Sequence, residues 1–206
     1  MCGIAGFISK NDFPENAQEI ITKMTTTLKH RGPNRQDVFL SPDSNTSLGH
    51  TRLSIIDLSD SGNQPMLSNC GRYNLVYNGE IYNYKDIRQD LIVEGVEFKG
   101  ASDTEVLLNA LLTWGIEDTL PKLNGMFAFA FLDIHAKELF LARDRMGIKP
   151  VYYGFSKRNF IFGSELKALK AHPAFNNSLC NDSIALYLRH NTIPDRKSTR
   201  LNSSHT

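Results

Sequence analysis

Apolar residues at Ile20, Ile21, Met24 and Leu28 have the spacing of one helix face and predict a helix over 15–29. Before it, Gly3–Ser9 is small and apolar almost throughout, the pattern of a mostly buried strand. The helix must stop at His30-Arg31-Gly32-Pro33-Asn34, where Gly and Pro end it and the chain cannot rejoin it. Short β-prone runs follow at 38–40 and 47–52, and a polar loop covers 59–65. Tyr73 to Tyr82 holds two β-prone runs around Asn78-Gly79, a pair that favours φ > 0 and predicts a tight hairpin turn.

A helix fits Tyr84–Val93. Ser102-Asp103-Thr104-Glu105 has the spacing of a capping box ahead of Val106, Leu107, Ala110, Leu111 and Trp114, and Gly115 stands where a C-terminal glycine belongs. The run 126–133 is nearly all apolar, with three phenylalanines, and predicts a strand buried on both faces. Further strands are expected at Glu138–Arg143, 151–154 and Asn159–Gly163, with turns near His135 and Lys157, and helices at 164–171 and 182–189. Several strands with helices at intervals predict an α+β, layered arrangement with two sheets in contact.

The composition narrows the function classes. A chain of 206 residues can bury a sizeable core, and 41% hydrophobic with 22% charged residues is ordinary for a globular protein. Net charge of +1 gives no general argument for nucleic acid or membrane as partner. Cys2, Cys70 and Cys180 are odd in number and far apart, which fits neither a disulfide framework nor a zinc site, and no H-x-x-x-H or C-x-x-C spacing supports a metal. No segment approaches the ~20 apolar residues of a membrane span, and the start lacks the layout of a signal peptide. A reducing cytoplasm is the expected setting. The last twelve residues, 195–206, are polar with Leu201 alone apolar. They resemble a translated sequencing adapter and are set aside from the fold, so the expected boundaries are a domain over 1–194, then a non-native tail.

Candidate chemistry begins at Cys2. With Met1 removed, its thiol and α-amine would share one residue, a nucleophile beside its own base, both titrating near neutral pH. Standing alone, Cys2 reads equally as a small buried apolar residue. Asn78 and Gly79 could supply oxyanion donors or simply turn a hairpin. Arg52 could grip a carboxylate in bidentate fashion or lie on the surface. Asp103 could bind an ammonium or only favour a helix start, and Glu80 reads as an exposed hairpin residue.

Met1-Cys2-Gly3-Ile4-Ala5-Gly6, His30-Arg31-Gly32-Pro33, Arg52-Leu53-Ser54-Ile55, Tyr77-Asn78-Gly79-Glu80-Ile81-Tyr82-Asn83 and Ser102-Asp103-Thr104-Glu105 occur in this order. Leu123-Asn124-Gly125-Met126-Phe127-Ala128-Phe129-Ala130, Arg143-Asp144-Arg145, Gly147-Ile148-Lys149-Pro150 and Gly163-Ser164-Glu165-Leu166-Lys167-Ala168-Leu169 follow. Together they resemble the class II glutamine amidotransferase domain, in the form found in glutamine-hydrolysing asparagine synthetases of the bacterial type. One departure is Asn34, where the family usually has Asp.

The resemblance implies an N-terminal nucleophile hydrolase fold, a four-layer αββα sandwich of two antiparallel sheets between helices. It implies Cys2 as nucleophile after loss of Met1, with Asn78 and Gly79 holding the oxyanion. Glutamine would be bound by Arg52 at its carboxylate and by Asp103 with Glu80 at its ammonium, with Leu53, Ser54, Ile55 and Ile56 lining the pocket. No cofactor or metal is implied for this domain. A C-terminal synthetase domain, absent from this chain, would use ATP and Mg²⁺ to activate aspartate for the ammonia, and a homodimer of the full-length protein is compatible with this. The alternatives are the glutaminase domain of another amidotransferase, making amino sugars or other amides, and a non-catalytic relative of the fold.

Overall fold

The computed structural model describes residues 1–53, 62–176 and 181–191. β1 (Gly3–Ser9) lies in the middle of a five-stranded antiparallel sheet, paired with β3 (Thr46–Arg52) on one side and β9 (Asn159–Gly163) on the other. β2 (Arg35–Ser41) extends that sheet beyond β3, and β8 (Tyr152–Ser156) closes it beyond β9. The second sheet has four strands in the order β4 (Met66–Leu67), β5 (Tyr73–Ile81), β6 (Gly125–Asp133) and β7 (Glu138–Arg143).

Two-residue alternation decides what each face meets. On β6, Phe127, Phe129 and Phe131 pack with Leu75, Tyr77 and Ile81 of β5 against α2 (Tyr84–Val93) and α3 (Asp103–Lys122). The opposite face of β6 presents Ala128, Ala130 and Leu132, which meet Val76 of β5 and Ile4, Leu48 and Phe162 of the other sheet. Alanines there let the two sheets approach closely. Beyond the five-stranded sheet, Ala5, Phe7 and Ile161 pack on Ile20, Ile21, Met24 and Leu28 of α1 (Ala17–Thr26) and its exit, and on α4 (Leu166–Lys170). Helices, sheet, sheet and helices therefore stack in four layers, as expected. α5 (Asn181–His190) leaves Tyr187 and Leu188 exposed.

Three expectations change. No hairpin forms at Asn78-Gly79: β5 runs unbroken through both, because β6 pairs with all nine of its residues and that pairing overrides the local turn signal. The capping box is half made. Ser102 Oγ accepts from Glu105 N at 3.3 Å, but the Glu105 carboxylate turns away to the N–H groups of Lys99 and Gly100, both at 2.8 Å. Gly115 does break the helix, with φ 76°, yet a second helical segment resumes and runs to Lys122. Thr119 Oγ1 bridges the kink to the carbonyls of Ala110 and Gly115, at 3.0 and 2.6 Å. Among the described residues no helix is long and apolar enough to cross a membrane.

Candidate active site

Cys2 precedes the first ladder pair of β1, Gly3 with Thr51, and so faces Arg52 and Leu53 at the end of β3. Its Sγ lies 3.4 Å from Leu53 N and 3.7 Å from Leu53 O. Together with Arg52, Tyr77, Asn78, Gly79, Glu80, Asp103 and Lys149, Cys2 lines a cavity of about 230 Å³ between the two sheets' edges.

The β5 side of this cavity follows from strand geometry. Backbone N–H groups of alternate residues point to the same edge of a strand. Tyr73 O, Tyr77 N and Ile81 N all make bonds on the β4 side, to Ser68 N at 2.8 Å, Gln64 Oε1 at 2.6 Å and Asp103 Oδ2 at 3.2 Å. Gly79 shares that parity, so its N–H points to the same edge. There β4, only two residues long, no longer covers β5, and the cavity opens. Its neighbour Asn78 projects from the opposite face, and its Nδ2 is buried with no hydrogen-bond partner. An unpartnered buried N–H costs about 1–3 kcal/mol, so this donor is held ready for an acceptor that the folded chain does not supply. Glycine at 79 is also a packing requirement: a Cβ there would lie 2.5 Å from Met126 O.

Charge is arranged by sign. Arg52 is 8% exposed, and its Nη1 donates to Asn63 Oδ1 at 2.7 Å. Asp103, 6% exposed, does more than favour the start of α3: its Oδ2 accepts from Tyr77 Oη at 2.7 Å and from Ile81 N. Burial pushes the Asp103 carboxyl above its ordinary value, partly offset by these donors. Burial likewise raises the Cys2 thiol, against the pull of the Leu53 N–H, the terminal amine and Arg52. The Met1 amine is lowered by desolvation, with Arg31 and Lys149 adding to the shift. That amine belongs to Met1; while Met1 is attached the Cys2 nitrogen is an amide, so for Cys2 itself only the thiol's direction, towards the protonated form, applies.

Cys2, Asn78, Gly79, Arg52, Leu53, Glu80 and Asp103 thus line one cavity, with Glu80 exposed at its rim. Ser54, Ile55 and Ile56, Cys180 and the 195–206 tail lie outside the described residues. The sequence reading gave no role to Gln64, Tyr77 or Lys149. Tyr77 and Lys149 sat inside recognised motifs, whereas Gln64 carries no local signal because its bonds, to Tyr77 N and Thr104 Oγ1, are both remote in the chain. No group of three or more potential metal ligands occurs among the described residues.

A family model described as a glutamine amidotransferase domain matches residues 1–204. The chain belongs to this family. It is 41% identical over 175 residues to asparagine synthetase [glutamine-hydrolyzing] 3 of Bacillus subtilis, covering 84% of this chain and 28% of that protein. It is 36% identical over 180 residues to a protein of Gibberella zeae named amidase chry2, covering 83% of this chain and 26% of that one. The amidotransferase domain therefore spans just over a quarter of the length of each relative. Among solved structures, glutamine phosphoribosylpyrophosphate amidotransferase from B. subtilis superposes with a TM-score of 0.72 at 21% identity, over 84% of this chain and 44% of that one. This likeness establishes the N-terminal nucleophile hydrolase fold.

Proposed function

We propose that the amidotransferase domain is a glutaminase, the ammonia-producing half of a glutamine-hydrolysing asparagine synthetase. Removal of Met1 frees the Cys2 amine, which takes the thiol proton as sulfur attacks the side-chain amide carbon of glutamine. The new C–S bond places negative charge on the amide oxygen, between Asn78 Nδ2 and the Gly79 N–H. The protonated amine returns its proton to the amide nitrogen, the C–N bond breaks and ammonia leaves. Water then adds to the glutamyl thioester, releasing glutamate and restoring the thiol. Arg52 holds the α-carboxylate and Asp103, with Glu80 at the rim, the α-ammonium; cation and anion across one small cavity suit a zwitterion. Leu53 holds the thiol through its main chain.

The observation that carries this reading is the unpartnered Asn78 Nδ2 and the cavity-facing Gly79 N–H in one cavity with Cys2. In the whole protein the ammonia would pass to a further domain, where ATP and Mg²⁺ would activate aspartate; the greater length of a relative named a glutamine-hydrolysing asparagine synthetase is compatible with such a domain. A reducing cytoplasm would keep Cys2 a free thiol. The similarity to a protein named amidase favours a second reading for the acceptor alone, an amide product other than asparagine.

The test is release of ammonia and glutamate from glutamine by the chain lacking Met1, compared with Cys2→Ala. We expect stoichiometric products from the first and none above background from the second. Equal rates from both would overturn the mechanism.

A further inference from the structure

Cys2 lies outside the ladder that fixes β1, since the first paired residue is Gly3. Its main chain is held by a side chain: Arg31 Nε donates to Cys2 O at 3.0 Å. Arg31 is itself nearly buried, and its Nη1 bonds Glu165 Oε1 at 2.9 Å. The same Glu165 oxygen meets His30 Nε2 at 3.0 Å, and Oε2 meets Lys167 Nζ at 3.0 Å. Next to it, Ser164 grips β1 two residues further on, accepting from Ile4 N at 2.9 Å and donating its own N–H to Ile4 O at 2.8 Å. Residues 164 and 165, just past the end of β9, therefore hold residue 4 of β1 directly and residue 2 through Arg31, from 160 or more positions away.

We propose that Glu165 is a positioning residue for the nucleophile, acting through Arg31 to fix the carbonyl, and so the amine and thiol, of Cys2. The proposal rests on Cys2 being the nucleophile. Three considerations support it. Arg31 offers a planar fork, and a guanidinium holding one carbonyl with Nε needs a carboxylate on its other edge to fix the plane. Glu165 supplies it and is ionised at any working pH: burial acts to raise its carboxyl, but Arg31, Lys167 and His30 outweigh that and bring it to about 2. Finally, Glu165 does not line the cavity, so it leaves glutamine contacts untouched. A misplacement near 1 Å at a reacting group can cost about 10²-fold in rate.

The experiment compares wild type, Glu165→Gln, Glu165→Ala, Arg31→Ala and the double Ala variant, all lacking Met1. It reads kcat and KM for glutamine, the rate of Cys2 alkylation by iodoacetamide, and Tm. We expect kcat to fall about 10²-fold for Glu165→Ala and about tenfold for Glu165→Gln, which keeps an acceptor but loses the charge. KM should stay within about threefold and the Cys2 alkylation rate should change, while the double variant matches the worse single one because both act through one contact. A kcat within about twofold of wild type, a loss carried by KM, or losses that multiply in the double variant would each overturn the proposal. So would a fall in activity of Glu165→Gln that only follows its Tm. If Glu165→Ala does not fold, Glu165→Gln carries the same comparisons. If wild type releases no ammonia, the glutaminase reading fails on its own, and the alkylation rates still decide the clamp: equal rates in wild type and Glu165→Gln would sink it.

Discussion

β1 and β5 each deliver part of the reacting set to one cavity, and they are held there in opposite ways. β5 is fixed by its backbone: all nine residues pair with β6, so Asn78 and Gly79 sit mid-strand with no freedom to drift. Cys2 stands at a chain end beyond the last rung of its sheet and depends on side chains from two distant turns. The proposed oxyanion side is thus built from pairing that any β-strand offers, whereas the proposed nucleophile is held by side chains of Arg31, Ser164 and Glu165. A donor inside a strand needs no support of its own, and a nucleophile at a terminus must be given one.

The contrast is broken most severely at Asn78. Asn78→Ala should lower kcat for ammonia release about 10²–10³-fold. Because its Nδ2 bonds nothing in the folded chain, Tm should hold or rise; a large fall in Tm would mean that β5 is held through this side chain after all. Gly79→Ala should act on stability, by about 1–3 kcal/mol, since its Cβ would press on backbone of β6 at Met126 and Phe127. A shifted urea midpoint with unchanged slope would show it, and a neutral result would contradict the tight β5–β6 approach.

The smallest effect joins the two sheets. His50 on β3 is buried, and its Nε2–H donates to the Tyr77 carbonyl of β5 at 3.1 Å, a bond that either protonation state can make and that favours the charged ring; burial, with Arg52 adding to it, opposes the proton. Burial lowers its pKa to about 3, against an ordinary value of 6.5. The unfolded chain therefore binds a proton that the folded chain refuses. His50's contribution is full above pH 6.5 and is lost as pH falls towards 3, at about 1.4 kcal/mol per pH unit. His172, lowered to about 4 by burial, adds a similar slope over its own range. In denaturant titrations between pH 6 and 4, His50→Gln should flatten the decline by about half.

Much of the fold was legible wherever pattern is local. Gly3–Ser9, Tyr84–Val93, Glu138–Arg143 and Asn159–Gly163 form where alternation or helical spacing placed them. The misreading at Asn78-Gly79 has a physical cause: a turn propensity of two residues lost to pairing with a strand about fifty residues away, which a local window does not contain. β4 escaped notice because two residues carry no period. At the site, Cys2, Arg52, Asn78, Gly79 and Asp103 were readable as residue types suited to one chemistry. Gln64 was not, for its meaning lies in caulking the exposed edge of β5.

That edge has a wider consequence. β4 pairs only Met66 and Leu67 with β5, and Pro65 before them has no N–H to carry the ladder on. Past that point Gln64 and Asp103 stand in for a neighbouring strand at Tyr77 and Ile81, and among the described residues Gly79 between them has none. A bound amide oxygen would complete the missing rung, so substrate and sheet extension compete for the same N–H. Whatever lengthened β4 by a few residues would strengthen the sheet and, by that same bond, close the site.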